Sequence, residues 1–100
     1  MNWEKEKERM EILEIMKGLA ERYRKIVDKE PTSFLANMLL KYGNKYIRNY
    51  YNDDYAMSVY HRDKSLEVKN PSPFALFYPY RICVIDKCTG EIVEDITLID

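Results

Sequence analysis

The residues best suited to acid–base chemistry in this chain stand together at positions 60 to 62. His61 is the only histidine, and imidazole is the side chain whose unperturbed pKa lies nearest neutrality. Tyr60 and Arg62 flank it. Together these three groups can move a proton and stabilise the charge that develops on a phosphate during RNA cleavage. One alternative function is therefore a small ribonuclease with His61, Arg62 and Tyr60 as its catalytic residues.

A single histidine in a strand is more often an ordinary half-buried side chain than a catalyst, and isolated motifs give many false positives. The preferred interpretation therefore assigns no catalytic residue. Cys83 lies among aliphatic residues and Cys88 in a turn signal, and neither has an adjacent base that would make it a nucleophile. Two cysteines and one histidine also fall short of the four ligands of a typical zinc site. We expect no metal and no cofactor.

Tyrosines dominate the segment YGNKYIRNYYNDDY. Tyr42, Tyr46 and Tyr50 recur at every fourth position, which places them on one face of a helix. An aromatic stripe at helical spacing is ordinarily core, so these rings are expected to pack inward with their hydroxyls at the rim. Tyr51 and Tyr55 leave the stripe and are expected to face outward.

Other aromatic residues fall where the predicted fold offers them no core to join. Trp3 precedes the apolar stripe of the first helix, and the segment PFALFYPY places aromatic rings between prolines, on an expected edge strand. Exposed aromatic residues are typical of protein interfaces. The residues expected to bind a protein partner or a second copy are Trp3, Tyr51, Tyr55, Phe74, Phe77 and Tyr78.

Basic residues interleaved with tyrosines indicate a second alternative, a nucleic-acid-binding protein. Against it stands the net charge of −1, which provides no bulk attraction to a polyanion or an anionic membrane. The basic residues of this alternative are Arg48, Arg62, Lys64 and Arg81, beside Tyr51, Tyr55 and Tyr60.

No segment predicts a membrane span or a secretion signal. The longest apolar run, residues 74–80, is interrupted by Pro79 and is too short to cross a bilayer. The first residues are charged and lack the apolar core of a signal peptide. We therefore expect no membrane partner, reduced thiols, and a location in the cytoplasm of a microbial cell or a virus-infected host.

Hydrophobic periodicity predicts the elements that position these residues. Apolar residues recur every three or four positions from Ile12 to Val27 and again from Leu35 to Tyr50, which indicates two amphipathic helices. Pro31 separates them and suits the first turn of a helix. The short connection predicts an antiparallel αα-hairpin, with helices at about 3–29 and 32–51.

After residue 52 the periodicity changes to two, which indicates β-strands. Strands are expected at about 55–62, 65–69, 76–86 and 91–99, and the turn ending at Gly90 is typical of a hairpin. The chain is therefore expected to form one α+β domain, residues 1–100, in the order α-α-β-β-β-β. Its N-terminal αα-hairpin would pack on one face of a three- to four-stranded antiparallel sheet.

A chain of this length that combines two helices with an antiparallel sheet resembles, in coarse topology, the bacterial ribonuclease toxins of the RelE class. The resemblance implies RNA cleavage, with His61 as the residue that would move a proton. The net charge of −1 departs from the strongly basic composition usual in that class.

The leading interpretation is a small non-enzymatic protein-interaction module, because the sequence shows aromatic surplus but no catalytic constellation. By analogy, compact near-neutral chains of this kind are often phage- or virus-encoded modulators of host proteins. An inhibitor of a defence nuclease is one concrete version.

Overall fold

Two helices followed by four antiparallel strands form one α+β arrangement, which confirms the predicted order of elements. The computed structural model describes residues 3–27, 29, 33–62, 65–73, 76 and 78–99. The elements are α1 (Trp3–Ile26), α2 (Ser33–Tyr50), β1 (Tyr55–Tyr60), β2 (Glu67–Lys69), β3 (Arg81–Asp86) and β4 (Ile92–Thr97). The sheet has the order β2-β1-β3-β4, so β2 and β4 are its edges.

The helices pack on one face of the sheet through their apolar stripes. In α1, Met16 and Ala20 are buried at helical spacing, and α2 buries a broader arc that includes Leu39. Opposite them, Met57 of β1 pairs in register with Val84 of β3, and both are buried. Because side chains alternate across a strand, every second residue of β1 and β3 enters this core.

The ends of the elements differ from the predicted bounds in ways that backbone chemistry explains. The third strand begins at Arg81, not at 76. Tyr78 has a φ of 49°, outside the β region, and Pro79 has no N–H to donate to a ladder. The first helix ends at Ile26, and the observed strands 55–60, 67–69 and 92–97 are each shorter than predicted.

The end of α2 is set by Asn52, whose N–H donates to the Ile47 carbonyl at 2.8 Å. Its φ is 65°, a left-handed conformation that asparagine tolerates better than most residues and that commonly ends a helix. The chain therefore leaves α2 directly into the turn before β1. Within the described residues, neither helix combines the length and the apolar character needed to cross a bilayer.

Tyr46 is the tyrosine that enters the core most fully, with 1% of its surface exposed, as the stripe predicted. Tyr42 and Tyr50 are half-buried beside it. The prediction that Tyr51 and Tyr55 face outward is wrong, because both are also half-buried against the core. Their rings lie 5.4 Å apart by centroid, and they continue the aromatic packing of α2 into β1.

The two helical glycines are expected to respond in opposite directions to alanine. Gly18 is exposed, and an added Cβ would meet nothing within 4 Å. Gly18→Ala should therefore raise the free energy of unfolding by about 0.5–1 kcal/mol through helix propensity. At Gly43 the Cβ would lie 2.8 Å from the Met57 Sδ. Overpacking should offset the same propensity gain and leave a net loss of about 1 kcal/mol.

Urea unfolding of both variants, followed by circular dichroism, checks this pair. Equal stabilisation by both substitutions would mean that Met57 moves aside at no cost, and would contradict the close packing of α2 on β1.

Candidate functional site

A polar cluster of four side chains joins both helices to the sheet. Arg9 of α1 donates from Nη2 to the Glu94 Oε1 of β4 at 2.5 Å and from Nε to the Tyr46 hydroxyl at 2.7 Å. The Tyr46 hydroxyl in turn donates to Glu94 Oε1 at 2.7 Å. Tyr51 donates to Glu94 Oε2. The cluster is thus a closed network on the helix-facing side of the sheet, centred on one carboxylate.

The protonation of this cluster follows from its burial and its hydrogen bonds. Burial and the hydrogen bond to Glu94 raise the pKa of Tyr51 to about 12. Burial alone would raise the pKa of Glu94, but the hydrogen bonds from Tyr46, Tyr51 and Arg9 outweigh it and lower that pKa below its ordinary value. Glu94 is therefore a carboxylate at neutral pH and both tyrosines are neutral. A group that stays ionised and fully hydrogen-bonded is suited to holding the fold, not to exchanging protons.

Four exposed apolar side chains lie on α1 and β4, the two elements that the Arg9–Glu94 pair joins. Met10 follows Arg9 and Val93 precedes Glu94 in the chain, so the 2.5 Å contact between Arg9 and Glu94 brings the backbones of Met10 and Val93 near each other. Because side chains alternate along a strand, Val93 faces the side of the sheet opposite to Glu94. The side chains that we call the apolar edge are exposed by 78%, 53%, 49% and 44%, in the order Trp3, Met10, Ile92 and Val93.

Further along α1, Glu14 and Lys17 line a groove together with Leu98, which follows β4. Trp3, Met10 and Lys17 are spaced by seven residues, which is two helical turns. The face of α1 that carries Trp3 and Met10 therefore continues to Lys17 in this groove, and β4 is an edge strand of the sheet.

At the other end of α1 lies a cleft of about 570 Å³. Arg24 in the last turn of α1 and Arg62 just after β1 both line it, and the Arg62 guanidinium lies over the Tyr78 ring at 4.3 Å from the centroid. We call this site the basic cleft, and its described lining residues are Arg24, Arg62, Tyr78, Pro79, Tyr80, Thr97 and Ile99.

A second arginine–tyrosine pair adjoins the basic cleft. The Tyr80 ring meets the Tyr60 ring edge-on at 6.4 Å, and the Arg81 guanidinium lies over Tyr60 at 4.5 Å. Arg81 also donates from Nε to Asp95 at 2.6 Å. These residues stand on the face of the sheet away from the helices, because Tyr60 and Arg81 are register partners that alternate with buried Val59 and Ile82.

The two ends of α1 carry opposite charge. Residues 3–14 contain five glutamates against three basic residues, whereas residues 17–27 contain four basic residues against one glutamate. This arrangement complements the helix dipole, and it also gives the apolar edge acidic surroundings and the basic cleft positive ones. A net charge near zero therefore conceals two chemically different surfaces.

The structure separates the predicted site residues into several places. Trp3 joins the apolar edge, Tyr51 belongs to the Glu94 cluster, and Tyr78 lines the basic cleft, so the predicted partner-binding set does not form one surface. Phe74, Phe77 and Lys64 lie outside the described residues. Arg48 lines a small polar pocket with Tyr55 at the start of β1. Arg62 follows the opposite end of β1. The two ends of this six-residue strand are about 20 Å apart.

His61 is buried, with 5% of its surface exposed, and its backbone N–H donates to the Leu66 carbonyl. Its neighbour Arg62 lines the basic cleft, so the chain path from β1 directs one of the two residues inward and the other into the cleft. The ribonuclease alternative needs a histidine within reach of a bound phosphate. Among the described lining residues of the cleft, the titratable groups are arginines and tyrosines.

The two cysteines lie in different environments. Cys83 is buried and Cys88 exposed, and both are free thiols. Burial raises the pKa of Cys83, which disfavours the reactive thiolate. In the part of the chain that the structure describes, no three His, Cys, Asp or Glu side chains cluster as metal ligands would.

Several residues of these sites were not predicted from the sequence. Arg24 belongs to the basic run Arg22–Lys25, which could have been noticed, but the cleft it lines depends on the path of the chain before β3. Met10, Arg9 and Glu94 carry no local pattern that distinguishes them from ordinary helix and strand positions.

Comparisons with protein-family models, with curated proteins and with solved structures give no match. The functional assignment therefore rests on the geometry and chemistry of the two surfaces.

Proposed function

We propose that this chain is a small non-enzymatic protein-interaction module that binds a partner through the apolar edge. The observation that carries the proposal is the exposure of Trp3, Met10, Ile92 and Val93 on two elements that the Arg9–Glu94 contact joins, one of them an edge strand of the sheet. A tryptophan that is 78% exposed, with further exposed apolar side chains on the two joined elements, is the kind of surface that a partner covers.

The composition of the apolar edge is that of an interface centre. Tryptophan is among the residues that contribute most binding free energy at protein interfaces, particularly where neighbouring contacts exclude water. The outer edge of β4 also presents unpaired backbone groups that can pair with an incoming strand. Affinity would come from the apolar contacts, and orientation from the strand edge.

The charges around the apolar edge specify the chemistry of the partner. Glu4, Glu11 and Glu14 of α1 are exposed, as is Glu91 just before β4. A second copy docked edge to edge would bring these carboxylates together, and like charges at an interface are unfavourable. The partner is therefore another protein that offers a basic segment with apolar side chains.

The test begins with a photo-crosslinking amino acid in place of Trp3 and, as the matched control, in place of Phe34. Phe34 is 70% exposed but lies at the start of α2. The partner crosslinked at position 3 is then purified and titrated by calorimetry. Trp3→Glu should weaken its binding by at least about tenfold, a typical loss for an interface anchor, and Phe34→Glu by less than about twofold.

Three outcomes would contradict the proposal. One is crosslinking from position 34 as efficient as from position 3. Another is equal weakening by Trp3→Glu and Phe34→Glu. The third is a concentration-dependent dimer, seen by light scattering, that Trp3→Glu abolishes, because a second copy would then occupy the apolar edge.

The location and the effect on the partner are proposed from the sequence. The module would act in the cytoplasm of a microbial cell or a virus-infected host, as a modulator or inhibitor of its partner. Addition of the purified chain to the identified partner, with the partner's own activity as the readout, checks whether binding inhibits it.

A further inference from the structure

The basic cleft has a chemistry that the proposed protein interaction does not use. Its volume of about 570 Å³ falls within the range of about 300–1,000 Å³ that is typical of ligand sites. We infer that the basic cleft binds single-stranded nucleic acid. Arg24 and Arg62 contact phosphates, and the tyrosine rings stack on an unpaired base.

The charge of the cleft favours a phosphate-bearing ligand. Its described lining residues include two arginines and no carboxylate. Within the described part of the chain, neither Arg24 nor Arg62 has a carboxylate oxygen within 4.0 Å. The planar guanidinium matches the geometry of phosphate oxygens and is weakly hydrated. Because the site is concave, the field of two arginines is concentrated there even though the whole chain has a net charge of −1.

The tyrosine rings of the cleft provide surfaces on which a nucleobase can stack. Arg62 already lies on the Tyr78 ring at 4.3 Å, a stacked arrangement that leaves the edges of the guanidinium able to donate to an anion. Tyr80, which lines the cleft, contacts the Tyr60 ring, and the Arg81 guanidinium lies over Tyr60. Arginines and tyrosine rings therefore alternate from the cleft onto the face of the sheet away from the helices, as in platforms that track a single strand.

The geometry favours a single strand over a duplex and over a free nucleotide. A base in a duplex has both faces covered by its neighbours, so the half-buried rings of Tyr78 and Tyr80 can stack only on an unpaired base. A strand that stacks in the cleft can continue past Tyr80 to the neighbouring Tyr60 ring, which Arg81 covers on one face, whereas a mononucleotide ends at the cleft.

This site is separate from the apolar edge. Trp3 and Arg24 are 21 positions apart on the same helix, which corresponds to about 30 Å. Trp3→Glu should therefore leave nucleic-acid binding unchanged, so the failure of one proposal does not imply the failure of the other.

The experiment is fluorescence anisotropy with a labelled DNA strand of mixed sequence, roughly 12 nucleotides long, a length within the usual range of single-strand sites. The same strand annealed to its complement and AMP as a competitor are the other two ligands. Two phosphate contacts predict that binding weakens by about sevenfold between roughly 50 and 200 mM salt. The duplex should bind at least about tenfold more weakly, and AMP should compete only at about a hundredfold excess over unlabelled strand.

Matched variants locate the site. Arg24→Gln and Arg62→Gln should each weaken binding by about fivefold and lower the salt dependence, since each removes one phosphate contact. Arg22→Gln, on the same helix turn but not among the residues lining the cleft, and Arg48→Gln, beside Tyr55, should change it by less than about twofold. Tyr78→Phe should keep the affinity, whereas Tyr78→Asn should weaken it by about tenfold through loss of stacking. The φ of 49° at this position suits asparagine, and circular dichroism of each variant checks that it is folded.

Four results would overturn the inference. They are the absence of binding to the single strand at low salt, equal binding to the duplex, competition by AMP at the same concentration as the unlabelled strand, and an equal loss with Arg48→Gln as with Arg62→Gln. Selective loss with Arg24→Gln, Arg62→Gln and Tyr78→Asn supports it.

Discussion

Glu94→Gln is expected to lower the free energy of unfolding by about 2 kcal/mol, because hydrogen bonds to a charged group are worth about 1.5–3 kcal/mol when the group is shielded from water. The Glu94 carboxylate accepts from Tyr46 at 2.7 Å, from Arg9 at 2.5 Å and from Tyr51. The glutamine amide offers one oxygen in place of two and leaves the Arg9 guanidinium without its counter-charge. Urea unfolding at pH 7, followed by far-ultraviolet circular dichroism, measures the change.

Asp95→Asn is the matched control for this substitution. Asp95 is the next residue on β4 and accepts from Arg81 at 2.6 Å, but its side chain is 48% exposed, compared with 18% for Glu94. Exposed ion pairs contribute about 0–1 kcal/mol, so Asp95→Asn should cost less than half as much as Glu94→Gln. Equal losses at the two positions would show that the Glu94 network adds nothing beyond a surface ion pair.

The same substitution predicts a dependence on pH. Burial alone would raise the pKa of Glu94, but its three hydrogen bonds lower it below the ordinary value of 4.5. The stabilisation by the carboxylate is therefore fully present above its unfolded-state pKa and is lost as the pH falls through the lowered native-state pKa. The difference in stability between the wild type and Glu94→Gln should shrink below about pH 4. A constant difference down to about pH 3 would contradict this.

Tyr46→Ala should destabilise the protein still more, by about 4 kcal/mol, as expected for loss of a large buried ring. The Tyr46 ring contacts the Tyr50 ring at 5.2 Å and the Arg9 guanidinium at 5.6 Å. Tyr46→Phe keeps this packing and removes only the hydroxyl that links Arg9 to Glu94. We expect Tyr46→Phe to cost about 1–2 kcal/mol, measured in the same unfolding experiment.

Tyr50→Phe provides the control for the hydroxyl. Tyr50 donates to the Lys5 carbonyl at 3.4 Å in an exposed contact, so its loss should cost less than about 0.5 kcal/mol. If Tyr46→Phe is as mild as Tyr50→Phe, the hydroxyl of Tyr46 is not part of a stabilising network. If Tyr46→Ala is also mild, the assignment of Tyr46 to the core is wrong.

These stability effects bear on the proposed interaction because the Glu94 cluster positions the apolar edge. Arg9 and Glu94 hold the first turns of α1 against β4, and Met10 and Val93 are their immediate neighbours in the chain. Loosening the cluster should let α1 shift relative to the strand edge. A partner that contacts both elements would then bind a less ordered surface and lose affinity through the added cost of ordering it.

The order and type of the elements could be predicted from the sequence because they depend on local periodicity. Apolar residues at helical spacing, such as Met16 and Ala20, predicted α1, and the alternation of Met57 and Val59 predicted β1. The same reasoning identified Tyr46 as core. Each of these inferences needs only residues a few positions apart, and burial of one face then follows from the hydrophobic effect.

The two surfaces depend on contacts that no local pattern encodes. Arg9 and Glu94 are 85 positions apart, and their pairing required the path of the chain through the whole sheet. Arg24 and Arg62 line one cleft with Tyr78 and Pro79, where the positive φ of Tyr78 and the missing N–H of Pro79 end the predicted third strand early. By itself, the sequence determined which residues must be buried in helices and strands. Only the tertiary structure decided which of the remaining polar, basic and aromatic side chains share a surface, because those neighbours are brought together by long-range packing.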